Sequence, residues 1–594
     1  MLQRRRFPMV LRKTLSSKKP PVKTTVRRSQ MITTYGVGAL VPVESESFIV
    51  AGLDHWNPRP EDLIEEPRLS RSLGVSGLYL PPGNSSRGMV PIARFPEWVY
   101  CPQCSRLEKF WRIADKLSDR YINRCRHCVT SRLVPSRFVA CCADGHIQDF
   151  PYVHWTHRGH ERTEGEAHSL KITVDPSNST LAGIRLACSC GAKRTLEGAL
   201  GSGSLSLSCA GASPWLDGTR DSCKAQLVGL QRGASNVWFG DVRSAITVDR
   251  TLSPVEEVLE KILPELVGAL ADDVALLIGI KARQHNVNQD ELIAAYRRLG
   301  SASFSGAEAY REIRSAEYEA LGREHPEITG AETFVSEPKR VSPTGEVGRV
   351  VDVVSRVARL REVRALTGFS RVAPSEGAGS APKGALSRGR HDWLPAIEVL
   401  GEGVFIRLRE EEVASWEGSE FATTRAQKLQ RAMQAAASKQ AGEVPPVSPR
   451  VLLLHSLSHS LLNELALDTG YPASSIRERL YAENGQSGIL LYTATADAAG
   501  SLGGLCSKGT PTSVEKLVTS ALERALWCSA DPVCLESAST GAGAANLAAC
   551  HSCLLVPEVS CELQNRLLDR ACLIGVGGDG AGGFLTSRVS GSLL

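Results

Sequence analysis

Two cysteine pairs near residue 100 have the spacing of a metal site. Cys101 and Cys104 stand in CPQC, Cys125 and Cys128 stand in CRHC, and twenty residues separate the pairs. A C-x-x-C turn directs both sulfurs to one point, and two such turns complete a tetrahedral shell of four thiolates. The spacing therefore predicts a zinc site. The alternative, four unrelated buried thiols, requires two coincident turns.

A second group of cysteines is spaced less regularly. It begins with a C-x-C pair, and the predicted ligands of a second zinc ion are Cys188, Cys190, Cys209 and Cys223. The stretch CCADGHIQDF lies between the two sites and offers Cys141, Cys142 and His146. Such a stretch is more often part of a core, but one of its residues could replace a ligand.

Five cysteines compete for a third site near the C-terminus. Cys550 and Cys553 form a C-x-x-C turn, and Cys561 stands at the head of ELQNRLLDR, which is predicted to be a helix. With Cys534 these residues make the predicted ligand set. Cys528 follows Trp527 at an apolar helix end and is predicted to be packed, although it could replace one of the four.

All three predicted shells are closed, since four protein thiolates leave no position for water or substrate. Closed shells are typical of structural zinc, whereas catalytic zinc usually keeps three protein ligands. The 17 cysteines therefore predict two or three structural Zn²⁺ ions and no catalytic or cofactor-binding residues.

A different chemistry is conceivable at HSLSHSLLNEL, where His455 and His459 lie one helical turn apart. A metal-dependent nuclease or hydrolase could use them with Glu464 or Asp497. The pattern lacks the glutamate of H-E-x-x-H, so structural histidines are the favoured interpretation. No G-x-x-x-x-G-K-[ST] occurs in the sequence, which excludes a self-sufficient P-loop motor.

Charge is concentrated at the start of the chain. Residues 1–28 carry ten Lys or Arg and no acid, whereas the other 59 basic residues are outnumbered by 64 acids. Such a segment is predicted to be a disordered tail, suited to phosphate backbones. The candidate DNA-binding residues are Arg4, Arg5, Arg6, Arg12, Lys13, Lys18 and Lys19. No apolar run is long enough to cross a bilayer, and the chain is predicted to be cytoplasmic, without membrane contact.

The helices and strands predicted to position these residues indicate an α+β, multidomain chain. Zinc-ribbon-like modules occupy the N-terminal half, followed by an α-helical insertion and a mixed α/β zinc-binding domain. The predicted boundaries are a basic tail at 1–28, a β-rich module at 29–100, two four-cysteine sites at 101–245, the helical insertion at 246–345, a mixed connector with a flexible loop at 346–445 and the C-terminal domain at 446–594.

Local patterns give more specific expectations. Residues 27–56 predict strands around a tight turn at Gly36 and Gly38, and residues 354–371 show an amphipathic register. AIEVLGEGVFIRL predicts two strands joined at Gly401-Glu402-Gly403, whereas VLLLHSLSHSLLNELAL predicts an apolar helix and GILLYTA a buried strand.

Several stretches resemble one known family, and the C-terminal one is the most specific. They are RRSQMITTYGVGALV, GHIQDFPYVHW, LQRGASNVWF, LREVRALTGFSR, HSLSHSLLNEL, GSLGGL and NLAACHSCLLVPEVSCELQNRLLDR. Together they are similar to the DrmB family of the bacterial DISARM anti-phage system, which carries a helicase-associated, four-cysteine C-terminal domain. Tyr152 departs from the tryptophan expected there.

The resemblance implies a non-catalytic component that associates with a DrmA-like helicase subunit and engages DNA through the complex. It agrees with the residue-level prediction of zinc-held modules and a cationic tail without a motor. Two alternatives stay open: the metal-dependent hydrolase described above, and a protein-interaction subunit without DNA contact.

Overall fold

The chain is described here by a computed structural model. It describes residues 26–82, 89–118, 120–159, 168–201, 203–248, 271–301, 306–327, 332–345, 347–374, 383–437, 444–493, 504–576 and 582–586, with isolated positions between 255 and 266. The seven candidate DNA-binding residues of the basic tail lie outside the described residues. Within the described ranges, no helix has both the length and the apolar content needed to span a membrane.

An eight-stranded sheet forms the centre of the molecule. Its main strands, in spatial order, are Phe239–Thr247, Val351–Ser370, Trp393–Leu408, Gly488–Thr493 and Ile476–Tyr481, all antiparallel to their neighbours. Val335–Arg340 also pairs with Val351–Ser370, Gly77–Tyr79 runs parallel to Trp393–Leu408, and Leu63–Ile64 pairs with Gly77–Tyr79. The sheet thus joins segments that are far apart in the sequence.

Two of these strands are longer than the sequence patterns suggest. Residues 354–370 belong to a 20-residue strand, because valines at alternating and adjacent positions favour extended structure buried on both faces. AIEVLGEGVFIRL is part of one continuous strand, so the predicted turn at Gly401-Glu402-Gly403 is wrong. The register with the neighbouring strand shifts between Val357 and Leu360, opposite the glycines, so these residues mark a bulge.

An apolar helix, Pro449–Thr469, covers one face of the sheet and confirms its prediction. The Ser448 side chain accepts a hydrogen bond from the N–H of Val451, and Gly470 ends the helix in the left-handed region at φ 74°. Around it pack Glu410–Glu417, Glu420–Ala437, Pro511–Ala525 and Ala571–Ile574. We call this apolar cluster the C-terminal core.

The segment predicted as a helical insertion, residues 246–345, contains three described helices but also ends in the strand Val335–Arg340. Its helices are Ala271–Gln284, Gln289–Ser301 and Gly306–Leu321. The last helix is tied to the central sheet by a buried ion pair, in which Nη2 of Arg479 lies 2.7 Å from Oε1 of Glu317. Pro67–Leu73 packs beside it.

Smaller sheets make up the N-terminal part. A six-stranded sheet has the order Val134–Pro135, Trp98–Tyr100, Arg106–Lys109, Leu170–Val174, Ile184–Cys188 and Lys193–Thr195. A three-stranded sheet joins Ile147–Asp149, Phe138–Cys141 and Val228–Gln231. Ala114–Leu117 pairs with Arg120–Cys125, and Ala212–Ser213 with Thr219–Arg220. We call residues 98–231 the ribbon region.

The first described segment departs from its predicted pattern. A short helix, Gln30–Thr33, precedes the two glycines, and the hairpin that follows pairs Leu40–Val43 with Glu46–Val50. Ile92–Arg94 adds a third strand. The remaining short helices are Phe110–Ile113, Tyr152–Thr156 and Val533–Glu536.

Candidate metal centres

The first centre brings together the four cysteines of the two C-x-x-C turns. Sγ of Cys101 lies 3.8 Å from Sγ of Cys128, and Sγ of Cys104 lies 3.9 Å from Sγ of Cys125. The residue after each turn, Ser105 or Val129, has a positive φ and donates its N–H to the carbonyl oxygen of the first cysteine of that turn. The two turns therefore have the same backbone geometry and point their sulfurs at one space.

Local hydrogen bonds favour the thiolate of Cys101 in this centre. Burial opposes ionisation of Cys101, but the N–H groups of Cys104 and Gln103 outweigh it and lower the pKa of the thiol to about 7. The thiolate is the form that binds metal. Four sulfurs at these separations form a donor set typical of structural zinc.

The second centre differs from the predicted ligand set. Cys209 and Cys223 lie with Cys142 and His146, and not with Cys188 and Cys190. Sγ of Cys142 is 3.4 Å from Nδ1 of His146 and 4.0 Å from Sγ of Cys223. The donor set is therefore three cysteines and one histidine. Of the three residues that CCADGHIQDF offers as possible substitutes, Cys142 and His146 belong to the cluster, while Cys141 is part of the core.

The turn CCADGH explains why Cys142 and His146 meet. Gly145 has φ 85°, and its N–H donates to the carbonyl oxygen of Cys142, which folds the chain back within four residues. A Cβ at Gly145 would lie 2.8 Å from the backbone nitrogen of Gly384. Both the conformation and the close approach require glycine at this position.

A separate third centre contains the C-x-C pair. Cys188 and Cys190 lie with His157 and His168, where Nε2 of His157 is 3.2 Å from Sγ of Cys190 and Nδ1 of His168 is 3.3 Å from Sγ of Cys188. The backbone N–H of Ala192 lowers the pKa of Cys190 to about 6. Sequence reasoning missed both histidines, because neither stands in a recognisable pattern with the cysteines. Two thiolates and two imidazoles are again a donor set typical of structural zinc.

The fourth centre lies in the C-terminal part and contains Cys528 in place of Cys561. Sγ of Cys528 is 3.5 Å from Sγ of Cys550, and Sγ of Cys534 is 3.8 Å from Sγ of Cys553. The loop carrying Cys528 is held by Asp531, which accepts the N–H of Cys528 and pairs with the fully buried Arg570.

Cys561 is kept away because the segment ELQNRLLDR is not the predicted helix. Gln564, Asn565 and Leu567 have positive φ values, and the Asn565 side chain accepts the N–H and donates to the carbonyl oxygen of Val556. The resulting turn directs Cys561 towards helix Pro449–Thr469, where its sulfur lies 3.2 Å from Nε2 of His455.

The residues of the hydrolase alternative do not form an accessible site. His455 and His459 are fully buried. Glu464 forms an ion pair with Arg524, and Asp497 lies outside the described residues. Among the residues described, the histidines are instead grouped with Glu478 and Cys561.

The four cysteine-rich clusters and the mixed fold define a zinc-binding, multidomain protein. A family model described as "MrfA Zn-binding domain" matches residues 457–554, which include all four cysteines of the fourth centre. A second model, described as "Domain of unknown function (DUF8724)", matches residues 27–239 and covers the other three centres.

One curated relative extends over nearly the whole chain. The "DISARM protein DrmB" of Bacillus paralicheniformis (strain ATCC 9945a / NCIMB 11709 / CD-2) is 30% identical over 560 residues, which cover 89% of this chain and 97% of the relative. The chain therefore belongs to the DrmB family, and it carries a zinc-binding domain with further clusters compatible with structural zinc.

Proposed function

We propose that this chain is a non-motor component of a DISARM-type anti-phage complex: a zinc-stabilised scaffold that binds a helicase-like subunit and contributes to DNA binding. The observation that carries the proposal is the set of four clusters with four protein donors each, in a chain of the DrmB family. Saturated donor sets hold folds together and leave no position for a reacting water.

The lack of a P-loop motif supports a non-motor role for this chain beside a helicase-like subunit. Any ATP-driven movement along DNA would be supplied by another subunit, since this sequence has no phosphate-binding loop of that kind. Co-purification tests this step: the tagged chain should retain a helicase-like subunit expressed with it. Failure of the two chains to associate at any salt concentration would contradict the scaffold role.

A described part of the ribbon region supports DNA contact in addition to the candidate residues of the basic tail. Residues 101–132 contain eight basic and three acidic residues. Trp111 and Tyr121 are 47% and 44% exposed on this module, and the guanidinium of Arg112 lies 4.8 Å from the centroid of the Trp111 ring. Exposed aromatic rings among cations are suited to stacking on unpaired bases while cations contact phosphates.

Salt dependence and two substitutions test the DNA contribution. DNA affinity of the complex should fall steeply as salt rises, because cations released from DNA drive binding. Exchanging Trp111 and Tyr121 for alanine should weaken binding to single-stranded DNA by about 1–3 kcal/mol per ring. Trp527, 72% exposed beside the fourth centre, provides a matched control. An equal loss in Trp527→Ala, or affinity independent of salt, would contradict DNA contact at this surface.

A further inference from the structure

A fifth cluster of donor atoms, separate from the four cysteine-rich centres, lies inside the C-terminal core. It consists of His455 and His459 from helix Pro449–Thr469, Glu478 from strand Ile476–Tyr481, and Cys561 from the segment after the fourth centre. All four residues are buried, and their donor atoms lie within 4.8 Å of one another. We propose that this cluster binds a metal ion, most simply Zn²⁺, in a closed site of one cysteine, two histidines and one glutamate.

The histidine tautomers point to this conclusion. Nδ1 of His455 lies 3.2 Å from the carbonyl oxygen of Leu567, and Nδ1 of His459 lies 2.8 Å from that of Leu554. A carbonyl oxygen only accepts, so each Nδ1 carries the proton, and the Nε2 of each neutral ring carries a lone pair. Metal-bound histidines are held in this way.

Both lone pairs face other acceptors. Nε2 of His455 is 3.1 Å from Oε1 of Glu478, and Nε2 of His459 is 3.4 Å from the same oxygen. Nε2 of His459 has no hydrogen-bond partner although the ring is fully buried. Protonating both rings would place two imidazolium ions with centroids 4.4 Å apart in the core, which is costly. A cation between the donors satisfies all of them.

The separations also fit one ion. With zinc bonds of about 2.0–2.1 Å to nitrogen or oxygen and about 2.3 Å to sulfur, tetrahedral ligand atoms are about 3.3–3.6 Å apart. The distances from Nε2 of His455 are 3.1 Å to the glutamate oxygen and 3.2 Å to Sγ of Cys561. A divalent ion with one carboxylate, one thiolate and two neutral imidazoles is uncharged, which suits a buried site.

Groups around the donors hold them in place. Oγ of Ser458 donates to Oε2 of Glu478 at 2.5 Å, and the N–H of Glu562 donates to Oε1 at 3.0 Å. The N–H of Asn565 donates to Sγ of Cys561 at 3.1 Å, as expected for a thiolate. Leu554, whose carbonyl oxygen accepts the hydrogen bond from Nδ1–H of His459, directly follows Cys553, so the fifth site is linked to the fourth centre.

Metal counting on the full-length chain tests this proposal independently of its function. Native mass spectrometry and elemental analysis should give one ion fewer per chain for Cys561→Ser and for His459→Gln than for the wild type. Cys572→Ser is the matched control, because Cys572 is fully buried in the same core but outside every cluster. The control should keep the wild-type count.

Equal counts in the wild type and both variants would overturn the fifth site while leaving the other four untouched. If neither variant folds, the wild-type count decides: five ions per chain support the proposal, and four or fewer overturn it.

Discussion

The ribbon region and the C-terminal core stabilise themselves in different ways. In the ribbon region, short strands enclose a small interior in which cysteines of three centres, such as Cys125, Cys142 and Cys188, are themselves core residues. In the C-terminal core, leucines, valines and isoleucines from helices and sheet fill a much larger interior around helix Pro449–Thr469. Metal therefore replaces an apolar interior in one region and supplements it in the other.

The largest expected effect is the response to metal removal. Apparent zinc binding contributes about 10–16 kcal/mol per structural site at neutral pH. A strong chelator should therefore unfold the ribbon region before the central sheet. Hydrogen exchange should show lost protection across residues 98–231 while the strand Val351–Ser370 stays protected. Simultaneous loss everywhere would show that the two regions do not differ.

A single ligand substitution should have a smaller effect in the C-terminal part. Cys528→Ser removes one sulfur of the fourth centre, and we expect loss of one zinc ion with a destabilisation no larger than the contribution of that single site, about 10–16 kcal/mol. Thermal unfolding combined with a metal count measures this. Cys506→Ser, at a buried cysteine outside the clusters, should keep all ions. An unchanged count in Cys528→Ser would contradict the assignment.

Arg371 directly follows the central strand Val351–Ser370 and contacts Gly145 of the ribbon region, and it should contribute less than a metal site. Its buried guanidinium donates to the carbonyl oxygens of Gly38, Gly145 and Val237, and burial lowers its pKa to about 10. Lysine cannot reach three carbonyls in these directions. Arg371→Lys should cost about 2–4 kcal/mol in denaturant unfolding, because buried acceptors lose their donors. A change under about 0.5 kcal/mol would contradict this role.

The smallest expected effect is a pH dependence in the ribbon region. Burial raises the pKa of Asp149 to about 7, although its carboxylate accepts the N–H of Trp98. A raised carboxyl pKa stabilises the fold at acidic pH, and this contribution is lost as pH rises through about 7. Asp149→Asn should flatten the stability profile of the ribbon region between about pH 4 and about pH 7, the window from the ordinary carboxyl pKa to the raised one. An unchanged profile would contradict the shift.

The sequence predicted the parts that depend on local spacing. The first centre is built from two C-x-x-C turns, and the structure brings its four sulfurs together. The mixed α+β class and the apolar helix Pro449–Thr469 also follow from local patterns. Each of these signals lies within a short segment of the sequence.

The ligand sets that differ from the predicted ones depend on contacts between segments distant in the sequence. Cys142 and His146 join Cys209 and Cys223 only because a turn at Gly145 and the pairing of Phe138–Cys141 with Val228–Gln231 bring the segments together. Cys528 replaces Cys561 because of backbone conformations around Asn565 that helix propensity does not predict. The length of the two long strands was missed because burial on both faces removes the alternation that identifies a strand.

Elemental analysis of the purified full-length chain, alongside a spectroscopic measure of folding, tests the central claim most directly. We predict at least four transition-metal ions per chain, one for each cysteine-rich centre. A fully folded chain that contains no transition metal would contradict the account.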